Sequence, residues 1–512
     1  MKRIVTVLDR LNLLNWGKRT YAVFVLCAMT VIALSAQTFT TLYSFDDTDG
    51  QYPYRLVQAT NGDLYGTASS GGVNNGGTVF KITPGGTLTT LYNFCAQSGC
   101  TDGAYPYAGL LQAPNGDFYG TTQGGGAYCT SGAGCGTIFK MTPGGTLTTL
   151  YSFCTQGSYP NCPDGSLPSA LIQTSNGDFY GATANGGANP GLLGSGGGTV
   201  FKMTPSGTLT TLYSFSAQSG CADGSTPVAL LQAPGGNFYG ATGVGGAGFP
   251  GSGTIFKITP TGTLTTLHTF CSQPAGSPCT DGTGPQGLIL ATDGDFYGTT
   301  NHGDYPNYGG TVFKMTPAGL LTTLYSFCAQ SGCTDGEAPA AGLVHASDGN
   351  FYGTTDSGGT NSIYGGTIFK ITPDGTLTTL YSFCAQSGCA DGQDPSAPLV
   401  QDTNGLLYGT AVNGGSDACS GGCGTVFSLS LGLGPFVETQ RTSGKVGEIV
   451  KILGNDLTGA TSVSFNGTEA VFNVVSPSLI ETTVPAGATS GKVQVVTPSR
   501  TLSSNVPFRV LP

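Results

Sequence analysis

The chain has 512 residues, 85 of them glycine and only 9% charged, too many for one hydrophobic core, so at least two domains are expected. A hydrophobic share of 38%, with aromatics at fixed intervals, excludes a disordered glycine-rich chain and suits an all-β repeat protein. The formal charge of -10 concentrates in residues 37–431, where six lysines and Arg55 meet 21 aspartates and Glu337; this excludes nucleic acid and anionic lipid as partners.

Lys2, Arg3, Arg10, Lys18 and Arg19 precede an apolar run from Tyr21 to Ala36 that ends with the small residues Ala33, Ser35 and Ala36. A basic flank, a short apolar stretch and a small-residue end predict a secretory signal peptide over residues 1–36. The competing reading is a retained anchor, but about 16 apolar residues are short for a span. Cys27 follows Leu26, where a lipid-attachment site expects a small residue. No later apolar run is long enough to cross a bilayer, so no membrane span is expected in the mature chain.

Tyr65, Tyr119, Tyr180, Tyr239, Tyr297, Tyr352 and Tyr408 then mark a repeat, with spacings of 54, 61, 59, 58, 55 and 56 residues. Such a period points to a propeller or a solenoid. Helical solenoids are excluded by the absence of 3.6-residue periodicity and by the glycine content. Each repeat reads as four short strands. Gly109–Ala113, a hairpin turn at Asn115-Gly116, Phe118–Thr122, a glycine-rich loop, Thr137–Met141, a turn at Pro143-Gly144 and Thr146–Phe153 are one copy.

The two ends of the array do not match. The first three strands occur seven times, but no fourth strand follows the last copy, and TFTTLYSF (Thr38–Phe45) stands alone before the first. The orphan strand is expected to complete the last repeat and so close a ring. The prediction is a seven-bladed β-propeller of four-stranded blades over residues 37–431, with no open edge. Strand direction places the Asn-Gly and Pro-Gly turns on a lower face. The variable loops, where function is expected, fall on an upper face.

Fourteen cysteines form close pairs in those upper loops: Cys95/Cys100, Cys129/Cys135, Cys154/Cys162, Cys271/Cys279, Cys328/Cys333, Cys384/Cys389 and Cys419/Cys423. In an exported chain they read as local disulfides, each stabilising by about 2 kcal/mol. Cys221 is left as a free thiol, because Ser216 stands where its partner would be. Zinc is the rival reading; the uneven spacings and the lack of nearby histidine argue against it, and no metal or cofactor is expected.

An Asp-Gly followed by proline recurs in every loop from a fourth strand to the next first strand: Asp49…Pro53, Asp102…Pro106, Asp164…Pro168, Asp223…Pro227, Asp281…Pro285, Asp335…Pro339 and Asp391…Pro395. Sevenfold recurrence predicts a turn device in which Asp bonds nearby backbone. A ring of calcium sites would need more oxygens per loop. Lys81, Lys140, Lys202, Lys257, Lys314 and Lys370 recur in the third strands and are expected to be partly solvated. Gln58, Gln112, Gln173, Gln232 and Gln401 recur in the first strands, either bonding between repeats or lining the axis. Enzymatic signals are sparse. His268 falls in an outer strand, His302 in a loop and His345 in an inner strand, each in a different repeat. Asp304 beside His302 and Tyr305 is the one off-repeat cluster.

From Gly434 the repeat stops, and residues 434–512 read as a small Ig-like sandwich of short alternating strands without cysteine. Thr442-Ser443-Gly444, Val446-Gly447, Leu453-Gly454, Gly459-Ala460-Thr461, Val463-Ser464-Phe465 and Val484-Pro485-Ala486-Gly487 resemble IPT/TIG domains. The array, with GTVFKITPxGTLTTLYSF and DGxFYGTT, is similar to the GloVer tandem repeats of choice-of-anchor exported bacterial proteins. That resemblance implies export and carries over no catalytic residue.

The expected function is exported, non-enzymatic binding or surface scaffolding, extracellular or at the cell surface, with the periplasm as the alternative location. The expected partner is an extracellular glycan or protein, and the chain reads as a monomer. The alternative function is a carbohydrate-active enzyme or oxidase built on a propeller and an Ig-like module. Arg55 is the array's only arginine, and Tyr54, Tyr107, Tyr52 and Tyr105 lie beside it or in the equivalent place of the next repeat. A guanidinium among tyrosines suits a carboxylate, a sugar or a ring, so these five residues are the candidate ligand site.

Overall fold

The computed structural model describes residues 37–512 except 130–134, 158, 160, 190, 192–195, 248–251, 273–278 and 304–308. The predicted signal peptide, and Asp304 and Tyr305, lie outside the described residues.

Residues 38–430 form seven antiparallel sheets that follow one another along the chain. The sixth shows the plan, with Val344–His345, Phe351–Thr355, Thr367–Ile371 and Leu377–Ser382 paired in that order. Its second and third strands are buried and its fourth is half-buried, as expected for a TTLYS strand with one solvated face. The FYG glycine has a steric reason. A Cβ on Gly353 would stand 2.6 Å from Phe369 Cζ, so only glycine lets the neighbouring ring cross the strand. First strands are often shorter than expected, as at Leu111–Gln112. In the fifth sheet the first strand instead extends over Thr283–Leu290. Thr283 there pairs with His302, which ends a strand rather than sitting in the expected loop.

Each third-to-fourth strand pair slips by one residue at the leucine of TTLY, as between Thr149 and Tyr151. Such a bulge changes the face on which the following side chain emerges. The strand Thr38–Ser44 pairs with Thr425–Ser430, from Thr38↔Ser430 to Ser44↔Thr425, and supplies the seventh sheet's outer strand.

Neighbouring sheets share their cores. Tyr65 stacks on Phe118 at 4.2 Å, Tyr180 on Phe238 at 4.2 Å and Tyr297 on Phe351 at 4.0 Å, each pair spanning two sheets. The seventh sheet meets the first in the same way: Phe45 lies edge-on to Phe80 at 5.2 Å, and Thr410 Oγ1 donates to Tyr54 O at 3.2 Å.

The tail builds two four-stranded antiparallel sheets about a core that includes Val450, Ile452, Val463, Phe465, Ile480, Val493, Val495 and Phe508. It rests on the Asn-Gly turns of the repeats. Ser478 Oγ donates to Thr60 O at 2.9 Å, Lys451 Nζ to Pro114 O at 2.9 Å and Asn455 Nδ2 to Thr403 Oγ1 at 2.8 Å; Arg509 reaches Pro234 O. Among the described residues no helix is long and apolar enough to cross a membrane.

Candidate functional site

The upper loops are held by one device repeated around the array. Asp102 is fully buried and accepts from Tyr92 OH at 2.8 Å, Ala96 N at 3.0 Å and Gln97 N at 3.2 Å. Asp223, Asp335 and Asp391 repeat this set with Tyr213, Tyr325 and Tyr381, while Asp49 and Asp164 take the hydroxyls of Tyr43 and Tyr151. Burial, then the bond to the carboxylate, pushes the Tyr92, Tyr213, Tyr325 and Tyr381 hydroxyls up, which keeps them neutral donors. The turn role expected for these aspartates is present; their tyrosine partners are a further finding.

The residue before each proline is left-handed: Tyr52, Tyr105, Leu167, Thr226, Gly284, Ala338 and Asp394 have φ from 54° to 63°. That corner aims the residue's N–H at the preceding sheet. Tyr105 N donates to Gly76 O at 2.8 Å, Ala338 N to Gly309 O at 2.8 Å and Tyr52 N, across the end of the array, to Cys423 O at 3.1 Å. The structure holds disulfides at Cys95–Cys100, Cys129–Cys135, Cys154–Cys162, Cys271–Cys279, Cys328–Cys333, Cys384–Cys389 and Cys419–Cys423, and Cys221 is a buried free thiol. Cys129, Cys135, Cys154 and Cys162 form one buried cluster that joins two adjacent loops.

On this frame the structure brings Tyr54, Arg55 and Tyr107 together. The Tyr54 and Tyr107 rings meet edge-on at 6.3 Å. The Arg55 stem lies so close to the next sheet that a Cβ on Gly109 would stand 2.7 Å from Arg55 Cδ. Arg55 keeps solvent-accessible surface, yet surrounding protein pushes its guanidinium below its ordinary range. Arg55 thus stands exposed, with its stem against the second sheet. Tyr52 and Tyr105 occupy the left-handed corners, where their backbones rather than their rings make the bonds between sheets.

Two acids join this group that the sequence reading did not single out. Asp356 raises the Tyr54 hydroxyl further through charge, after burial, and accepts a hydrogen bond from Ser396 Oγ. Asp394 accepts from Asn413 Nδ2 at 2.6 Å, and burial, aided by Asp356, pushes its carboxyl up. Their signal was their departure from the repeat. Asp394 stands where other copies have Tyr, Leu, Thr, Gly or Ala, and Asp356 where they have Ser69, Gln123, Ala184, Gly243, Asn301 and Val412. This group therefore holds one guanidinium, hydroxyl-bearing rings and, nearby, the carboxyls of Asp356 and Asp394. The three histidines stay apart: His268 bonds Asp281 at 2.9 Å, His345 stacks on Phe351 at 4.8 Å and His302 ends a strand.

The family model of the Gloeobacter/Verrucomicrobia repeat matches residues 28–163, 159–344 and 275–468, and that of the IPT/TIG domain matches residues 436–510. No curated protein matches the chain. Among solved structures it is similar to the extracellular domain of a hybrid two-component system from B. thetaiotaomicron, at 13% identity and TM-score 0.47, over 93% of this chain and 59% of that one. It is also similar to PorZ, a surface component of the type-IX secretion system of Porphyromonas gingivalis, at 13% identity and TM-score 0.44, over 92% and 60%. A fungal alcohol oxidase of the AA5 family, solved with copper, matches at 12% identity and TM-score 0.48, over 91% and 98%. The chain thus spans about 60% of the two bacterial surface proteins.

Proposed function

We propose, for a chain that belongs to the Gloeobacter/Verrucomicrobia repeat family and carries an IPT/TIG domain, an exported, non-enzymatic role in binding or surface scaffolding. The array is read as a seven-bladed propeller whose ring is closed by Thr38–Ser44, and the tail as an Ig-like sandwich over its lower face. Support for the ring comes from the pairing of Thr38–Ser44 with the last sheet and from the Tyr52–Cys423 bond between first and last repeats. Support for export comes from the seven disulfides, which persist in oxidising compartments.

The ligand site is the upper opening around Arg55, with Tyr54 and Tyr107 as its walls and Tyr52 and Tyr105 at its rim. One observation carries this reading. Among the described residues no carboxylate pairs with Arg55, whose side chain is exposed. An exposed guanidinium with no carboxylate partner is free to pair with an anion through charge-assisted, bidentate hydrogen bonds. The partner class is an extracellular glycan or protein bearing a carboxylate. The test is a thermal-shift screen of uronic-acid oligosaccharides and C-terminal peptides, followed by calorimetry. Arg55→Ala should reduce the affinity of a hit roughly tenfold and leave the melting temperature unchanged. A hit whose affinity ignores that substitution removes Arg55 from the site.

A further inference from the structure

Each of the first six repeats joins its third strand to its fourth by five residues, as residues 142–146 join Thr137–Met141 to Leu147–Ser152. The seventh has no such turn. Thr425–Ser430 takes Thr38–Ser44 as its partner from the far end of the array. Closing so long a loop costs more chain entropy than closing a hairpin. The ladder between these two strands is therefore where the array opens most readily, unless something else holds its first and seventh repeats together.

The tail is attached at that place. It follows Thr425–Ser430 through residues 431–437 and stays on the seventh repeat's turn, where Phe436 N donates to Thr403 O at 3.0 Å. Asn455 Nδ2 donates to Thr403 Oγ1 at 2.8 Å and to Asp402 Oδ1 at 3.3 Å. Asp402 is 1% exposed and stands where five other repeats carry alanine, so this acceptor belongs to the docked turn. Thr403 Oγ1 also accepts from Gln58 Nε2 of the first repeat at 2.8 Å, so the tail and both end repeats meet on one hydroxyl. On the other side of this seam, Ser478 Oγ donates to Thr60 O of the first repeat at 2.9 Å. Asn455 and Ser478 sit on one corner of the tail: Gly454 N donates to Ser478 O at 3.1 Å and Leu457 N to Pro477 O at 2.9 Å. One braced corner thus bonds both ends of the array. Gln440 and Lys451 extend the contact to Gln112 O, Ala113 O and Pro114 O of the second repeat, and Arg509 extends it to Pro234 O of the fourth.

We propose that the tail works as a clasp, fixed by the chain to the seventh repeat and by hydrogen bonds to the first, so that it holds the two ends of the array together. The clasp rests on the reading of the array as a ring closed by Thr38–Ser44, and it is independent of any ligand at Arg55. Thr38–Ser44 fastens the outer edge of the seam and the tail fastens its lower face. This gives the IPT/TIG domain a task inside its own chain.

Hydrogen exchange read by mass spectrometry on the full chain tests it. The double variant Asn455→Ala/Ser478→Ala removes the side-chain bonds on both sides of the seam. Protected amides of Thr38–Ser44 and Thr425–Ser430 should exchange at least tenfold faster in it than in the parent. Thr199–Met203 in the third repeat and Val493–Val496 in the tail's core should keep the parent's rates, which shows that both units stay folded. Each single substitution should give a smaller rise in the same two strands, and the single variants decide the matter if the double variant does not fold. Unchanged rates at the seam overturn the clasp. A rise shared equally by Thr199–Met203 also overturns it, because the tail would then stabilise every repeat alike. Free exchange of Thr38–Ser44 in the parent itself would refute the closed ring, and the clasp with it.

Discussion

His268 Nε2 lies 2.9 Å from Asp281 Oδ2, in the place where the other repeats set a tyrosine hydroxyl against the same aspartate. An imidazole and a phenol have little in common except a donor at that reach, so the geometry selects for the bond. Removing the acceptor should therefore cost more than removing the donor. Asp335→Ala leaves Tyr325 OH, Ala329 N and Gln330 N without their acceptor and is expected to destabilise by about 3 kcal/mol. Tyr325→Phe should cost about 1 kcal/mol. Denaturant midpoints check both; equal effects would reduce the aspartate to a surface turn.

The outer strand of the last sheet comes from the other end of the array, so it can be removed without cutting a strand out of any other sheet. Deleting Thr38–Phe45 uncovers the edge of Thr425–Ser430 and takes Phe45 out of the core it shares with Phe80. The expected result is aggregation, or loss of a single cooperative transition, read by light scattering and calorimetry. A deletion protein as monomeric and as stable as the parent would argue for an open array.

The left-handed corners give a prediction of the opposite sign. Ala338 has φ 54°, where the fifth repeat already carries Gly284. The conformation costs a residue with a Cβ about 1–2 kcal/mol, and glycine loses about 0.5–1 kcal/mol of chain entropy on folding. Ala338→Gly should thus be neutral to stabilising by up to about 1 kcal/mol, where most glycine substitutions destabilise. A loss above 1 kcal/mol would mean that the Ala338 methyl is packed, not strained.

Much of this architecture was legible because it is written locally. Alternating TTLYS strands and Asn-Gly turns specify strand order within each sheet, and the unmatched TFTTLYSF pointed to the pairing of Thr38–Ser44 with Thr425–Ser430. The Tyr–Asp pairs were not legible. They join residues six to thirteen apart, and each tyrosine follows the bulge at the preceding leucine, which changes the face it emerges on. The glutamines take only one of the two roles left open for them, and some of them a third. Gln58, Gln112 and Gln401 bond across sheets, while Gln173 and Gln232 close their own hairpins. Docking of the tail left almost no local trace. Its marks are exceptions in the seventh repeat, where Asp402 replaces alanine, Leu406 the turn acid and Ser428 the lysine that elsewhere pairs with that acid. A repeat shows its plan in what recurs and its contacts in what does not.

His345 is such an exception, and it makes the stability of the array depend on pH. It replaces the inner-strand glutamine, stacks on Phe351 at 4.8 Å and is half-buried. Burial holds its imidazole below the ordinary value of 6.5, against the weaker pull of a bond to Gly349 and of Asp293 and Asp348, the charged groups that face it from the fifth and sixth repeats. In the unfolded chain the ring takes up a proton near pH 6.5; in the folded chain it resists until a lower pH. Between those two values the unfolded state binds more protons, so stability falls as pH falls through that window. Above it His345 is neutral in both states and costs nothing. His345→Gln removes the term and restores the bond that Gln112 makes to Gly116 O at 3.1 Å. At pH 7.5 the two proteins should match within about 1 kcal/mol, and by pH 5 the variant should be the more stable, by about 1.4 kcal/mol for each unit of depression. The difference between their unfolding free energies isolates this residue, because every other titrating group is common to both. A difference that stays flat from pH 7.5 to 5 would show that the ring is protonated as readily in the fold as out of it.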